Sequence, residues 1–225
     1  MSDGPVITRE RIVSGEMEVI LKEIERQGFM KVRPWQQRVV ESQKIRAKLP
    51  PGDVYVFAYG SLIWNPACHV AGQVPGRIHG WHRRYCLETP MGRGTPDCPG
   101  LMLALDRGGS CQGVALRLAA DQADEELGIV FRRELVSDAY LPAIVRVHTA
   151  DGPVQAATFV MNRSSERYRT QTDLEAVAQQ LAAAEGYLGT CAEYLCNTVA
   201  HLKEVGLTDR SMFWLEKRVR ELLGS

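Results

Sequence analysis

Hydrophobic and polar positions change their spacing twice along this chain, from a helical period to the pattern of strands and back to a helical period. Before residue 50, apolar side chains recur on one face of a predicted helix, with Ser14 as its N-cap and Gly28 as its stop; they are Met17, Ile20, Leu21 and Ile24. A second helix is predicted from about residue 36 to residue 48. Pro50 and Pro51 then mark a boundary. Residues 1–50 are therefore predicted to form an N-terminal helical extension, and residues 51–225 the main domain.

The pattern after residue 53 predicts strands. Residues 101–105 and 113–118 flank Asp106-Arg107-Gly108-Gly109, which is a hairpin signal. Residues 143–149 and 154–161 flank Asp151-Gly152, a second hairpin signal. A helix is predicted between them, over residues 121–135. The segments point to an antiparallel sheet with packed helices, an α+β domain.

The last third of the chain is predicted to be helical. Capping-box patterns begin at Thr172 and Thr190, each with a glutamate three residues later. A final helix is predicted from about Thr208, with one apolar face made of Met212, Leu215, Val219 and Leu222.

The segment VYVFAYGSLIWNP, residues 54–66, joins a predicted buried strand to a sharp turn at Gly60-Ser61. A glycine there permits positive φ and close approach of a ligand. Successive backbone N–H groups at such a turn can form an anion-binding nest. The alternative interpretation is an ordinary turn after a strand.

Glu134 stands out because it shares the apolar stripe of its predicted helix. Leu127, Val130, Phe131 and Glu134 are spaced i, i+3, i+4 and i+7. Burial and the negative end of the helix dipole both raise the pKa of a carboxyl group. Such a carboxyl group is suited to general acid–base catalysis. The alternative is a structural glutamate paired with Arg83, Arg84 or Arg133.

Composition and charge exclude several classes of protein. Lysine plus arginine equals aspartate plus glutamate at 27 each, so no net field favours nucleic acid or a membrane surface. The sequence has no run of about 18 apolar residues, so no membrane insertion is expected. It begins without a signal-peptide pattern, and its six cysteines form no Cys-x-x-Cys pair. We therefore expect a cytoplasmic protein with reduced thiols and no metal site.

Five segments in this order resemble the ChaC-type, glutathione-specific gamma-glutamylcyclotransferase family. The similarity extends from about Val54 to the C-terminus and is carried by Tyr59-Gly60-Ser61-Leu62-Ile63-Trp64, Gly80-Trp81-His82-Arg83-Arg84-Tyr85, residues 93–100 (RGTPDCPG), Phe131-Arg132-Arg133-Glu134 and Ala192-Glu193-Tyr194-Leu195-Cys196-Asn197. The resemblance implies a small antiparallel β-barrel with flanking helices. It also implies cyclisation of the gamma-glutamyl group of glutathione to 5-oxoproline, with release of cysteinylglycine and without a metal or organic cofactor.

The same resemblance implies roles for particular residues. Glu134 would be the catalytic acid and base, and the substrate-binding residues would be Tyr59, Gly60, Ser61, Leu62, Arg93 and Tyr194. The loop from Tyr59 to Leu62 would bind either the substrate carboxylate or the developing oxyanion. For Tyr59 and Tyr194 the alternative is a core aromatic, and for Arg93 it is a solvated loop arginine.

Other functions stay open at this point. The alternatives are cyclisation of gamma-glutamyl dipeptides or amines, and a non-enzymatic regulator of cation transport. The extension could pack on the core or mediate a homodimer.

Overall fold

Residues 7–224, the part of the chain that the computed structural model describes, are organised around a closed β-barrel. The barrel has the strand order β1-β3-β2-β4-β5, with β1 at Val54–Ala58, β2 at Gly72–Thr89, β3 at Gly100–Leu118, β4 at Tyr140–Thr149 and β5 at Gly152–Met161. Consecutive neighbours in that order are antiparallel. Parallel pairing between β1 and β5 closes the barrel. The barrel predicted from the family resemblance is therefore confirmed.

Seven α-helices pack around the barrel in residues 7–224: three precede β1 in the sequence, one lies between β3 and β4, and three follow β5. They are α1 (Arg9–Val13), α2 (Glu16–Arg26), α3 (Trp35–Arg46), α4 (Ala123–Glu134), α5 (Leu174–Ala183), α6 (Cys191–Glu204) and α7 (Arg210–Leu223). A short 3-10 helix covers Ser61–Ile63, and a two-stranded ribbon pairs β6 (Glu185–Gly186) with β7 (Gly189–Thr190). Phe131 of α4 packs edge to face on Phe159 of β5, with 5.0 Å between ring centroids. This contact fixes the C-terminal end of α4 against the barrel.

The hairpin predicted at residues 106–109 is wrong. β3 runs without a break through this segment and pairs with β2 along its whole length. Gly108 and Gly109 have φ angles of +99° and +66°, and they form a bulge where the pairing shifts from Trp81–Arg107 to His79–Ser110. The two glycines thus form a bulge that bends the long β2–β3 pair, and β3 continues beyond it. The true connection between β2 and β3 is the loop over residues 90–99.

Most of the other predicted elements are confirmed, with small changes at helix starts. Asp151-Gly152 does join β4 to β5 as a hairpin. Thr190 caps α6, since its hydroxyl accepts from the Glu193 backbone N–H at 3.0 Å. The cap of α5 is Asp173, not Thr172. Ser14 ends α1, and Gly15 occupies the N-cap position of α2.

The N-terminal helices pack on the core of their own chain. Ile12 is fully buried in a cluster with Ala67 and Ile129. Arg9 forms an ion pair at 2.7 Å with Glu126 of α4, whose carboxylate is almost fully buried. The buried Arg38 donates to the Arg132 carbonyl. These contacts attach the extension to the helix that carries Glu134.

The Ile12→Ala variant tests this attachment. Removing a fully buried isoleucine side chain should lower the free energy of unfolding by about 2–3 kcal/mol, the low end for such truncations because the cluster is small. Urea unfolding of the full-length protein measures the loss. The control is Val13→Ala, at a side chain that is 50% exposed and should change stability little. Equal stability of both variants would show that the extension is not anchored by Ile12.

Candidate active site

A cavity of about 190 Å³ opens between the loop after β1 and the end of α4. Loop, strand and helix residues line it together: Ile7, Tyr59, Gly60, Ser61, Leu62, Leu87, Met102, Leu103, Arg133, Glu134, Val136, Ser137, Ala139, Tyr140, Arg167 and Tyr194. Six of the seven site residues predicted from the sequence are in this set. The cavity combines a mostly apolar lining with a few polar groups, as small-molecule sites do.

The loop begins where β1 ends at Ala58 and turns at Gly60 into the 3-10 helix. Gly60 has a φ of −144°, so positive φ is not the reason for the glycine. The reason is space, because a Cβ at Gly60 would lie 3.1 Å from the Tyr194 hydroxyl oxygen. The loop backbone at Gly60 therefore packs closely against the Tyr194 hydroxyl group, which forms part of the cavity wall.

Glu134 is the last residue of α4, and its side chain lines the cavity with 16% of its surface exposed. Burial raises the pKa of its carboxyl group above the ordinary value, and the neighbouring Arg133 guanidinium partly opposes this. The Arg133 Nε and the Glu134 Oε1 are 3.0 Å apart. A carboxyl group at the cavity wall whose pKa is raised by burial is suited to accept a proton and return it.

Arg133 connects the carboxylate to the loop. Its side chain donates to the Ser61 hydroxyl at 3.0 Å and to the Asn65 carbonyl. Of the three arginines considered from the sequence, Arg133 is the ion-pair partner of Glu134. Arg83 instead pairs with Asp209 and donates to the Tyr59 carbonyl, and Arg84 pairs with Asp106.

Three tyrosines meet at the cavity, and they differ in what their hydroxyl groups do. Tyr59 donates to the Phe159 carbonyl at 2.9 Å, and Tyr140 donates to the Leu103 carbonyl at 2.6 Å. Burial, with a contribution from the Glu134 charge, raises the pKa of Tyr194 to about 12. Tyr194 therefore keeps its proton at neutral pH and can act as a hydrogen-bond donor.

Arg93 lies behind Tyr194 and is not among the cavity-lining residues. Its guanidinium carbon is 5.5 Å from the centroid of the Tyr194 ring. Its Nη1 donates to the Thr190 carbonyl at 2.6 Å and is 3.3 Å from the Glu193 carboxylate. These contacts hold Arg93 against the first turn of α6.

Sequence reasoning missed several lining residues, above all Tyr140 and Arg167. Tyr140 opens β4, whereas the strand pattern predicts a start only at residue 143. Arg167 follows β5 in the irregular segment 162–173, where no periodicity marks a buried side. The sequence signal that could have found Tyr140 is its place shortly after the helix that carries Glu134, where the next strand begins.

A test of the Glu134 environment is the pH dependence of stability in the Glu134→Gln variant. Because the folded-state pKa is raised above the ordinary 4.5, the unfolded chain loses this proton first as pH rises. Ionisation therefore favours the unfolded chain between the two pKa values. We expect the glutamine variant to gain stability relative to wild type as pH increases from 4 to 7.5, measured by urea unfolding. If the stability of the variant relative to wild type were instead higher at pH 4 than at pH 7.5, the folded-state pKa of Glu134 would not be raised.

No cluster of three or more histidine, cysteine, aspartate or glutamate side chains suited to a metal ion occurs within residues 7–224. None of the helices in residues 7–224 has the length and hydropathy to cross a membrane.

Solved structures show that the fold is gamma-glutamylcyclotransferase-like. A yeast gamma-glutamyl cyclotransferase specific to glutathione superimposes with a TM-score of 0.67 at 21% identity, covering 76% of this chain and 96% of that chain. The family described as ChaC-like protein matches residues 54–222. The chain therefore belongs to the ChaC-like family.

Curated relatives support the same assignment. The glutathione-specific gamma-glutamylcyclotransferase of Escherichia coli (strain K12) is 39% identical over 173 residues, 76% of this chain and 75% of that protein. The enzyme of the same description from Schizosaccharomyces pombe is 29% identical over 194 residues, 76% of this chain and 95% of that protein. The residues of α1, α2 and α3 lie before the family match begins.

Proposed function

We propose that this ChaC-like protein is a glutathione-specific gamma-glutamylcyclotransferase that releases 5-oxoproline and cysteinylglycine. The observation that carries the proposal is Glu134, a carboxyl group with a raised pKa on the wall of the cavity beside Ser61 and Tyr194. The named activities of the relatives point to the same reaction.

The reaction needs one proton transfer in each direction. The α-amine of the glutamyl group attacks the γ-carbonyl carbon, and a new C–N bond closes a five-membered lactam. The amide bond to cysteine then breaks, and its electron pair leaves on the cysteine nitrogen. Glu134 takes the proton from the attacking amine and returns it to the leaving nitrogen. Nucleophile and electrophile belong to one molecule, so the protein mainly has to fold the substrate into the reactive conformation.

The loop from Tyr59 to Leu62 and the Tyr194 hydroxyl would hold an anionic oxygen of the substrate. The loop backbone at Gly60 lies against the Tyr194 hydroxyl group, so one substrate oxygen would be within reach of both the loop N–H groups and this hydroxyl. Either the α-carboxylate or the oxyanion of the tetrahedral intermediate suits these donors. Arg93 would then act as a positioning residue, because its cation–π contact fixes the Tyr194 ring.

A panel of substrates tests the specificity. Glutathione, gamma-glutamyl dipeptides and a gamma-glutamyl amine are assayed at equal concentration, with 5-oxoproline detected by mass spectrometry. We expect the highest kcat/KM for glutathione. A higher kcat/KM for a dipeptide would contradict the specificity for glutathione and indicate a broader class of gamma-glutamyl substrates. The proposed cyclisation reaction would still stand.

The cellular location and the oligomeric state of this protein are separate proposals. All six cysteines are free thiols, which suits a reducing compartment such as the cytoplasm. A boundary near residue 50 and a homodimer also stay predictions. Sedimentation of the full-length protein at several concentrations would test the dimer.

A further inference from the structure

A second cavity of about 210 Å³ lies beside the first. Four residues line both cavities: Ile7, Arg133, Val136 and Arg167. Its outer wall is α2, and the facing wall is formed by the loop after β2 and the tip of the β6–β7 ribbon. This outer wall belongs to the extension before residue 54, where the family match starts.

The lining of the second cavity is apolar and rich in thioether groups. Met17, Met30 and Met91 contribute to it, together with Ile20, Leu21 and Ile24 of α2. Methionine side chains are polarizable and adapt to irregular shapes. Such a wall suits a small side chain that carries a thiol.

Arg167 stands at the junction of the two cavities without a carboxylate partner. Its Nε donates to the Glu88 carbonyl at 2.8 Å, and its Nη1 is 3.3 Å from the Ser137 hydroxyl. Within the described residues 7–224, no hydrogen bond uses its Nη2, and no acidic side chain lies within ion-pairing distance. Arg167 is half-buried, and removing a guanidinium from water costs free energy that a bound anion offsets. This one lies where a ligand bound across both cavities would pass.

We propose that the second cavity is the subsite for the leaving half of the substrate, an inference that rests on the proposed function. The cysteinyl side chain would lie against the methionines, and Arg167 would bind the terminal glycyl carboxylate. The extension thus becomes a specificity-determining part of the site, because α2 supplies the outer wall.

The positions of the reacting groups support this arrangement. The scissile amide must reach Glu134 at the wall of the first cavity, so the glutamyl group fills that cavity. The remainder of the substrate then extends past the shared residues. Arg133 is already bound to Glu134, Ser61 and Asn65. Of the two arginines that line both cavities, Arg167 is therefore the better placed for a second carboxylate.

The test compares glutathione with its glycyl ethyl ester, in which that carboxylate has no charge. For the wild type we expect kcat/KM to be about tenfold to one-hundredfold lower for the ester, the usual effect of losing a charge-assisted hydrogen bond. In Arg167→Gln this ratio should fall to near one, and Arg167→Lys should restore part of it. The control Arg169→Gln changes an arginine that pairs with Glu88 and should keep the wild-type ratio.

A second arm tests the wall formed by α2. Ile20 lines the cavity, whereas its neighbour Val19 is 69% exposed and does not. Ile20→Asp should raise KM for glutathione and leave turnover of gamma-glutamyl methylamide, which has no dipeptide to place there, unchanged. Val19→Asp should leave both substrates unchanged.

The outcomes separate the subsite from the reaction. If the wild type turns over glutathione and its ester equally well, the subsite is wrong and the proposed function stands. Equal losses for both substrates in Arg167→Gln would indicate a structural arginine and also overturn the subsite. If no gamma-glutamyl compound yields 5-oxoproline, the proposed function fails and the subsite fails with it.

Discussion

Replacing Glu134 by glutamine is expected to reduce kcat for 5-oxoproline formation by at least ~100-fold, the usual scale for a general acid–base group. Glutamine has almost the same shape, so substrate binding and the fold should persist. It cannot accept the amine proton, however, and the cyclisation loses its proton carrier. Steady-state assays with glutathione, analysed for 5-oxoproline, measure kcat and KM separately.

The control for this variant is Glu125→Gln on the same helix. The Glu125 side chain is 65% exposed and pairs with Arg9, away from the cavity. Its variant should keep wild-type kcat. Comparable activity of Glu134→Gln and wild type would assign the proton transfers to another group.

The Arg133→Gln variant should have the second largest effect, a loss of about tenfold to one-hundredfold in kcat/KM at neutral pH. Arg133 lowers the pKa of Glu134, so its removal raises that pKa further. A general base must be ionised to act, and the acid limb of the pH profile should therefore move to higher pH. The loop also loses the bonds from Arg133 to Ser61 and Asn65.

The adjacent Arg132→Gln variant provides the comparison. Arg132 lies over the ring of Trp35, 4.9 Å from its centroid, and donates to the Ile12 carbonyl. It therefore contacts the N-terminal extension and should leave the pH profile in place. An unmoved acid limb in Arg133→Gln would mean that this guanidinium does not tune the pKa of Glu134.

Local signals in the sequence predict the loop after β1 and the position of Glu134 on the buried face of its helix. The apolar run into Gly60-Ser61 predicted a strand and a turn, and helical spacing alone placed Glu134 on the buried stripe. Both signals are local, because strand alternation and helix periodicity depend on neighbours within a few positions. The family resemblance then supplied the barrel and the order of the segments.

Features that depend on distant parts of the chain were not predictable in this way. Gly108-Gly109 has the local signature of a turn, and only its pairing with β2 makes it a bulge. Arg167 lies in an irregular segment, so nothing in its neighbours indicates that it faces two cavities. The role of α2 as a cavity wall likewise follows from packing between residues far apart in sequence.

Cyclisation in water enriched in oxygen-18 tests the central claim most directly. The purified protein is incubated with glutathione, and the products are analysed by mass spectrometry beside Glu134→Gln. Intramolecular attack by the amine predicts equal amounts of unlabelled 5-oxoproline and cysteinylglycine from the wild type, and almost none from the variant. Glutamate carrying oxygen-18 would show that water is the nucleophile, which would contradict intramolecular cyclisation with Glu134 as the proton carrier.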